Sequence, residues 1–143
     1  MDKKSTYGKW ENHRISQLSF INNLVIGLSV ALIGYVFDFI KPLNIIFNYV
    51  QKFFFWIGVL LIIASIIIGF LVAINRLEDF RLTAKIARNR EKNNRENIQA
   101  DRNEAKIIGK KTWNRFVWQI VTFAISFLCF SITILIEYWE KLT

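Results

Sequence analysis

Residues 53–74 read FFFWIGVLLIIASIIIGFLVAI, and residues 75–91 follow without a break as NRLEDFRLTAKIARNRE. The first stretch carries no charge and is long enough, at 1.5 Å of rise per residue, to cross about 30 Å of hydrocarbon as a helix. The second holds strong helix formers (Leu, Ala, Arg, Lys, Glu), and neither Pro nor Gly occurs from Phe70 to Lys92. Nothing therefore stops the helix at the edge of the lipid. The pair of stretches predicts a membrane helix that keeps going, as a helix, into water.

Two further apolar blocks flank this one, Leu18–Phe37 and Phe116–Ile136, each without a charged residue and each about 20 residues long, again the length of a span. The first is diluted by Ser19, Asn22, Asn23 and Ser29. Apolar residues make up 53% of the 143-residue chain and are segregated into these blocks rather than mixed on a short scale, unlike the usual soluble globule. A cleaved leader is not expected at the first block, which is too long and ends within YVFDFI (residues 35–40) instead of a small-x-small cleavage site. The single cysteine, Cys129, excludes an intrachain disulfide and reads as a core residue of the third span. His13 reads as a solvated residue of the N-terminal segment. No nucleophile–base pair, metal-ligand cluster or Gly-rich phosphate loop is legible, so neither an enzyme nor a bound cofactor or metal is expected.

Lys and Arg number four before the first block, two between the first and second, twelve between Arg76 and Arg115, and one after the third. Translocating cations is costly, so these counts orient the chain with the N-terminus inside and the C-terminus outside the membrane. Trp10, Trp113 and Trp118 then fall near the inner face, and Tyr35, Phe53–Trp56, Tyr138 and Trp139 near the outer. The fold class expected is all-α: three transmembrane helices, with a cytoplasmic helical hairpin between the second and third. The segments are 1–17 (cytoplasmic), 18–75 (two spans and a short outer loop), 76–115 (basic hairpin) and 116–143 (third span and outer tail). Pro42 suits a first helical position, which predicts a second helix starting near Leu43. In the hairpin, Leu77, Phe80, Ala84 and Ala87 recur at helical steps, Asn93, Asn94 and Asn97 mark the turn, and Ile98, Ala105, Ile107 and Ile108 resume an apolar pattern. These apolar faces are expected to pack on each other or on neighbouring subunits.

The cations of the hairpin are spaced, too. Arg81, Lys85, Arg88, Lys92 and Arg95 follow steps of four and three, and the step continues through Gln99 to Arg102 and Lys106. On one unbroken helix this is a single positive stripe. Its functional reading is a phosphate-binding seam for a nucleotide or a nucleic-acid strand, held by the backbone because no aromatic beyond Phe80 offers a stacking surface. Its other reading is a solvated face that fixes topology or touches anionic lipid.

Inside the spans, three stripes stand out. Asn23, Gly27, Ala31, Gly34 and Asp38 share one face of the first helix. Ser65, Gly69 and Ala73 form a small-xxx-small stripe on the second, the pattern of close helix packing. Thr122, Ser126, Cys129, Thr133 and Glu137 share a face of the third. The first and third stripes are polar or small along their length and end in a carboxylate. They therefore read either as packing faces or as pore-lining faces that bring rings of acids to the mouth of a symmetric homo-oligomer.

The segment NRLEDFRLTAKIARNRE, at the cytoplasmic exit of a membrane helix, together with the three-span layout, resembles the membrane effectors of Hailong-type and CBASS-type antiphage defence systems. The resemblance implies an oligomeric ion channel or membrane-disrupting effector, gated by a nucleotide or single-stranded DNA oligomer made by a partner nucleotidyltransferase. The alternatives are a non-conducting adaptor whose basic hairpin docks an acidic protein or anionic lipid, and a holin-like lysis protein.

Overall fold

The computed structural model describes residues 3–41, 47–91 and 98–142, with side chains described over 16–41, 47–89 and 98–139. All described elements are α-helices: α1 (Lys3–Ile40), α2 (Tyr49–Glu91) and α3 (Ile98–Leu142). Each is long and apolar enough to cross a membrane. With 43 and 45 residues, α2 and α3 are each about 65 Å long, roughly twice a hydrocarbon core. The chain thus reads as a membrane protein whose second and third helices are longer than a single crossing requires.

The start of α2 is written in a cap. Asn48 Oδ1 accepts a hydrogen bond from the Tyr49 amide at 2.7 Å, and Gln51 Oε1 reaches back to accept one from the Asn48 amide at 2.7 Å. Gln51, at the third helical position, thus supplies the returning half of a capping box, while the Asn48 side chain bonds the first helical amide. It sets the described start of α2 at Tyr49 and not near Leu43; Pro42 and Leu43 themselves lie outside the described residues. No such device marks the point where α2 leaves its apolar stretch, and the helix runs on to Glu91 as expected.

α2 and α3 pack antiparallel along their whole length. Gln51 meets Glu137 at one end and Lys85 meets Asp101 at the other. One line of inward positions on α3, with Phe116, Phe123 and Phe130 turned in beside it, runs through Ile98, Asp101, Ala105, Ile108, Thr112, Arg115, Gln119, Thr122, Ser126, Cys129, Thr133 and Glu137, all buried or half-buried. Their steps alternate between three and four residues almost without exception, the average of 3.5 that marks a left-handed coiled coil. On α2 the matching seam passes through Gln51, Phe55, Gly58, Ile62, Ser65, Gly69, Val72, Asp79, Leu82, Ile86 and Asn89. Small and hydroxylated residues alternate along it with large apolar ones. Val36, Ile62 and Phe130 form the densest apolar cluster, supported by Leu32, Phe55 and Phe123. Ser126 Oγ donates to Gly58 O at 2.8 Å and Ser65 Oγ to Gln119 O at 3.1 Å, which satisfies both hydroxyls across the seam.

α1 lies against this pair through Asn22, Val25, Ser29 and Val36, which are buried. Among the described residues, the opposite face of α1 is exposed and meets neither α2 nor α3.

The seam also decides how the polar arms meet. Leu82 and Ile86 of α2 continue the register set in the apolar part, and Ile98, Ala105 and Ile108 oppose them. Leu77, Phe80, Ala84 and Ala87 instead point outward, Leu77 and Phe80 being 64% and 58% exposed. Ile107 is also outward. The expectation that these faces pack on each other thus holds for Ile98, Ala105 and Ile108 and is corrected for Leu77, Phe80, Ala84, Ala87 and Ile107, which face away from the partner helix. A rigid helix already locked at Ser65, Gly69 and Val72 cannot rotate by a third of a turn a few residues later to present a different face. The predicted turn at Asn93, Asn94 and Asn97 lies outside the described residues.

Candidate functional site

The positive stripe is not one stripe. Lys92 and Arg95 lie outside the described residues, and the remaining members divide between two antiparallel helices, Arg81, Lys85 and Arg88 on α2 and Arg102 and Lys106 on α3. Helical arithmetic of about 100° per residue, taken from the seam, puts Arg81, Lys85 and Arg88 on one flank of the pair and Arg102 and Lys106 on the other. Arg81, Arg88, Arg102 and Lys106 are exposed.

Lys85 is engaged. Its ammonium donates to Asp101 Oδ1 at 2.8 Å, while Asn89 Nδ2 stands 3.5 Å from the other oxygen, Oδ2. Asp101 is buried at the seam, with its side chain only 6% exposed against 58% for Lys85. The hydrogen bond and charge of Asp101, with help from Glu104, hold the Lys85 ammonium above its ordinary range. Asp101 therefore both pins the two arms and occupies the central cation of the α2 flank. Arg81 and Arg88 flank it one turn away on either side.

Where the arms meet the apolar part, Arg115 Nη1 donates to Asn75 Oδ1 at 2.8 Å, and Asn75 is buried. This pair was not expected from spacing. Its signal in the sequence is the first polar residue after the apolar run facing the last cation before the next.

The three membrane stripes have different surroundings. Ser126, Cys129, Thr133 and Glu137 of α3 are buried against α2, and Thr122 is half-buried beside them. Thr122 and Thr133 hydroxyls donate to carbonyls of their own helix, and Glu137 accepts from Gln51 Nε2 at 3.4 Å. Within one chain this face belongs to the α2–α3 seam. On α2, Ser65 bonds α3, Gly69 is pressed between α1 and α3, and Ala73 is half-buried. On α1, by contrast, Asn23, Gly27, Ala31, Gly34 and Asp38 are all exposed, and no atom lies within 4 Å of where a Cβ would stand on Gly27 or Gly34. Asp38 carries an exposed ion pair with Lys41 at 3.0 Å. Trp113, Trp118, Tyr35, Trp56, Tyr138 and Trp139 all point outward, at the two ends of the apolar spans.

Among the described residues no group of three His, Cys, Asp or Glu side chains is placed to hold a metal ion. Comparison of the chain with family models, with curated proteins and with solved structures gave no match.

Proposed function

We propose that the chain assembles into a symmetric homo-oligomeric pore in a bacterial cytoplasmic membrane, with the N-terminus inside, and that it acts as a membrane-depolarising defence effector. One observation carries the reading. Among the described residues, the small, polar face of α1 packs against neither α2 nor α3, although α2 and α3 bury theirs against each other. An amide such as Asn23 facing hydrocarbon is costly, and membrane helices turn such residues toward protein or a water-filled lumen. Copies of α1 brought together around an axis supply both, with Asp38 forming an acidic ring that favours cations.

The gating ligand in this reading is an anion, a nucleotide or a single-stranded DNA oligomer, held by the exposed cations Arg81 and Arg88 and by Arg102 and Lys106. The test is ion flux through the purified protein in liposomes, with and without short oligonucleotides. Flux that responds to oligonucleotide, with Asp38→Asn reducing cation preference while the oligomer persists, supports it. Glu137→Gln should leave selectivity alone and loosen the α2–α3 seam instead.

A second reading has its own observation. The outward face of Leu77, Phe80, Ala84 and Ala87, set beside Arg81 and Arg88, suits a non-conducting adaptor that docks an acidic, partly apolar protein. Liposomes that pass no current under any of these conditions favour it. A holin-like protein is separated by size of the lesion, since holins release whole proteins and a selective pore does not.

A further inference from the structure

Deep in the apolar part of the molecule, side-chain amides of α1 and α3 both lie against one glycine of α2. Gln119 of α3 is fully buried, and neither its Oε1 nor its Nε2 has a hydrogen-bond partner. Asn22 of α1 is 2% exposed; its Nδ2 donates to Gly69 O across a long 3.4 Å, and its Oδ1 has no partner. Gly69 of α2 is where the two converge. A Cβ there would lie 2.6 Å from Gln119 Nε2 and 2.8 Å from Ile26 Cγ1. The nearby backbone acceptor is already taken, because Gln119 O receives both the Ser65 and Thr122 hydroxyls, at 3.1 and 3.0 Å.

An unpaired buried amide is expensive anywhere and more so in hydrocarbon, where no solvent can reach it. What remains unpaired here is two carbonyl oxygens, Asn22 Oδ1 and Gln119 Oε1, and one amide NH2, Gln119 Nε2. That set matches the bonding capacity of one water, which donates twice and accepts from the amide, within the usual two to four partners of an internal water. A cation is less suited, because the Gln119 amide hydrogens share the node with the oxygens. Asn23, one residue along, is exposed, so α1 turns one of its adjacent asparagines to this node and the other away.

We infer that Asn22, Gly69 and Gln119 form an internal water site, and that the bound water completes the polar joint holding α1 to the α2–α3 pair. The inference is independent of whether the protein conducts. It is tested on the full-length protein in lipid nanodiscs in two ways. The first is water-edited solid-state NMR with 15N in the glutamine side chains: the Gln119 amide should show a cross-peak to water that exchanges slowly with bulk. The second is thermal stability of Gln119→Leu, Asn22→Leu and the double variant. If water bridges the node, each single change strands a partner and lowers the melting temperature, while the double change, which leaves the node apolar, recovers most of the loss. A Gln119 amide without a water cross-peak in the unmodified protein overturns the inference. So do single variants that each raise the melting temperature, because that is the result of deleting a dry, unsatisfied amide. Single losses with recovery but no cross-peak would mean a direct Asn22–Gln119 bond, and the water site would be discarded.

Discussion

Two glycines separate cleanly by what surrounds them. At Gly58 a Cβ would stand 3.0 Å from Cε1 of the buried Phe130, whose ring is held in turn by Phe55 at a centroid distance of 6.0 Å. Gly58→Ala should cost about 1–3 kcal/mol by overpacking, read as a lower melting temperature in detergent. Gly109 has no atom within 4 Å of its Cβ position and sits inside α3. Gly109→Ala should be neutral or stabilise by about 0.5–1 kcal/mol, because it removes backbone freedom from the unfolded chain without meeting a neighbour. Only one of these outcomes could have been anticipated from composition. The two glycines look alike in the sequence, and the distinction comes from the aromatic ring that the fold brings to one of them. Asn22 and Asn23 teach the same point: adjacent and chemically identical, they differ because a 100° rotation puts only the first against Gly69.

At the scale of the element, the cations of α2 have unequal roles. Lys85 is bonded to Asp101, so Lys85→Gln or Asp101→Asn should loosen the arms and raise protease sensitivity around residues 81–101. The Lys85 ammonium is held above its ordinary value of 10.5. Its contribution to pairing is therefore complete below that value and is lost as pH rises through the raised one. Hydrogen exchange of the α2 arm should accordingly be protected at neutral pH and accelerate only in strong alkali. Arg81→Gln with Arg88→Gln should leave that protection intact. If the flank binds a phosphate backbone, the double change should weaken every oligonucleotide alike and shrink the slope of affinity against salt by roughly two counterions. Unchanged binding would make the flank a solvated face. The continuity of α2 past the lipid is legible from residues 53–91 alone, since nothing there breaks a helix. The pairing face is not, because the apolar residues of the arm, Leu77, Phe80, Leu82, Ala84, Ile86 and Ala87, offer two competing faces. Register inherited from Ser65 and Gly69 selects Leu82 and Ile86, and that selection acts over a distance no local pattern records.

For the molecule as a whole, the orientation proposed from the cation counts predicts that a reporter fused after Thr143 is active only outside the cytoplasm, and one inserted at Asn94 only inside. Exchange of the two results would invert the proposed topology. Association between copies is expected to run through α1, so Gly27→Leu with Gly34→Leu should lower the oligomer size on native electrophoresis while the melting temperature of the chain changes little. The α2–α3 seam has one more consequence. From the helix start at Asn48 to the Lys85–Asp101 bond the two helices are zipped by a single register, and α2 has no Pro, and no Gly after Gly69, at which to bend. In the proposed topology such a pair would act as a lever with the lipid as its fulcrum. A force applied to the polar arms is carried toward Gln51 and Glu137 by a pair of helices whose glycines at 58 and 69 are wedged against Phe130 and Gln119. Inserting two glycines after Arg76 would add a joint to the lever. The far end would then fall silent to whatever binds the arms, even though binding itself is intact.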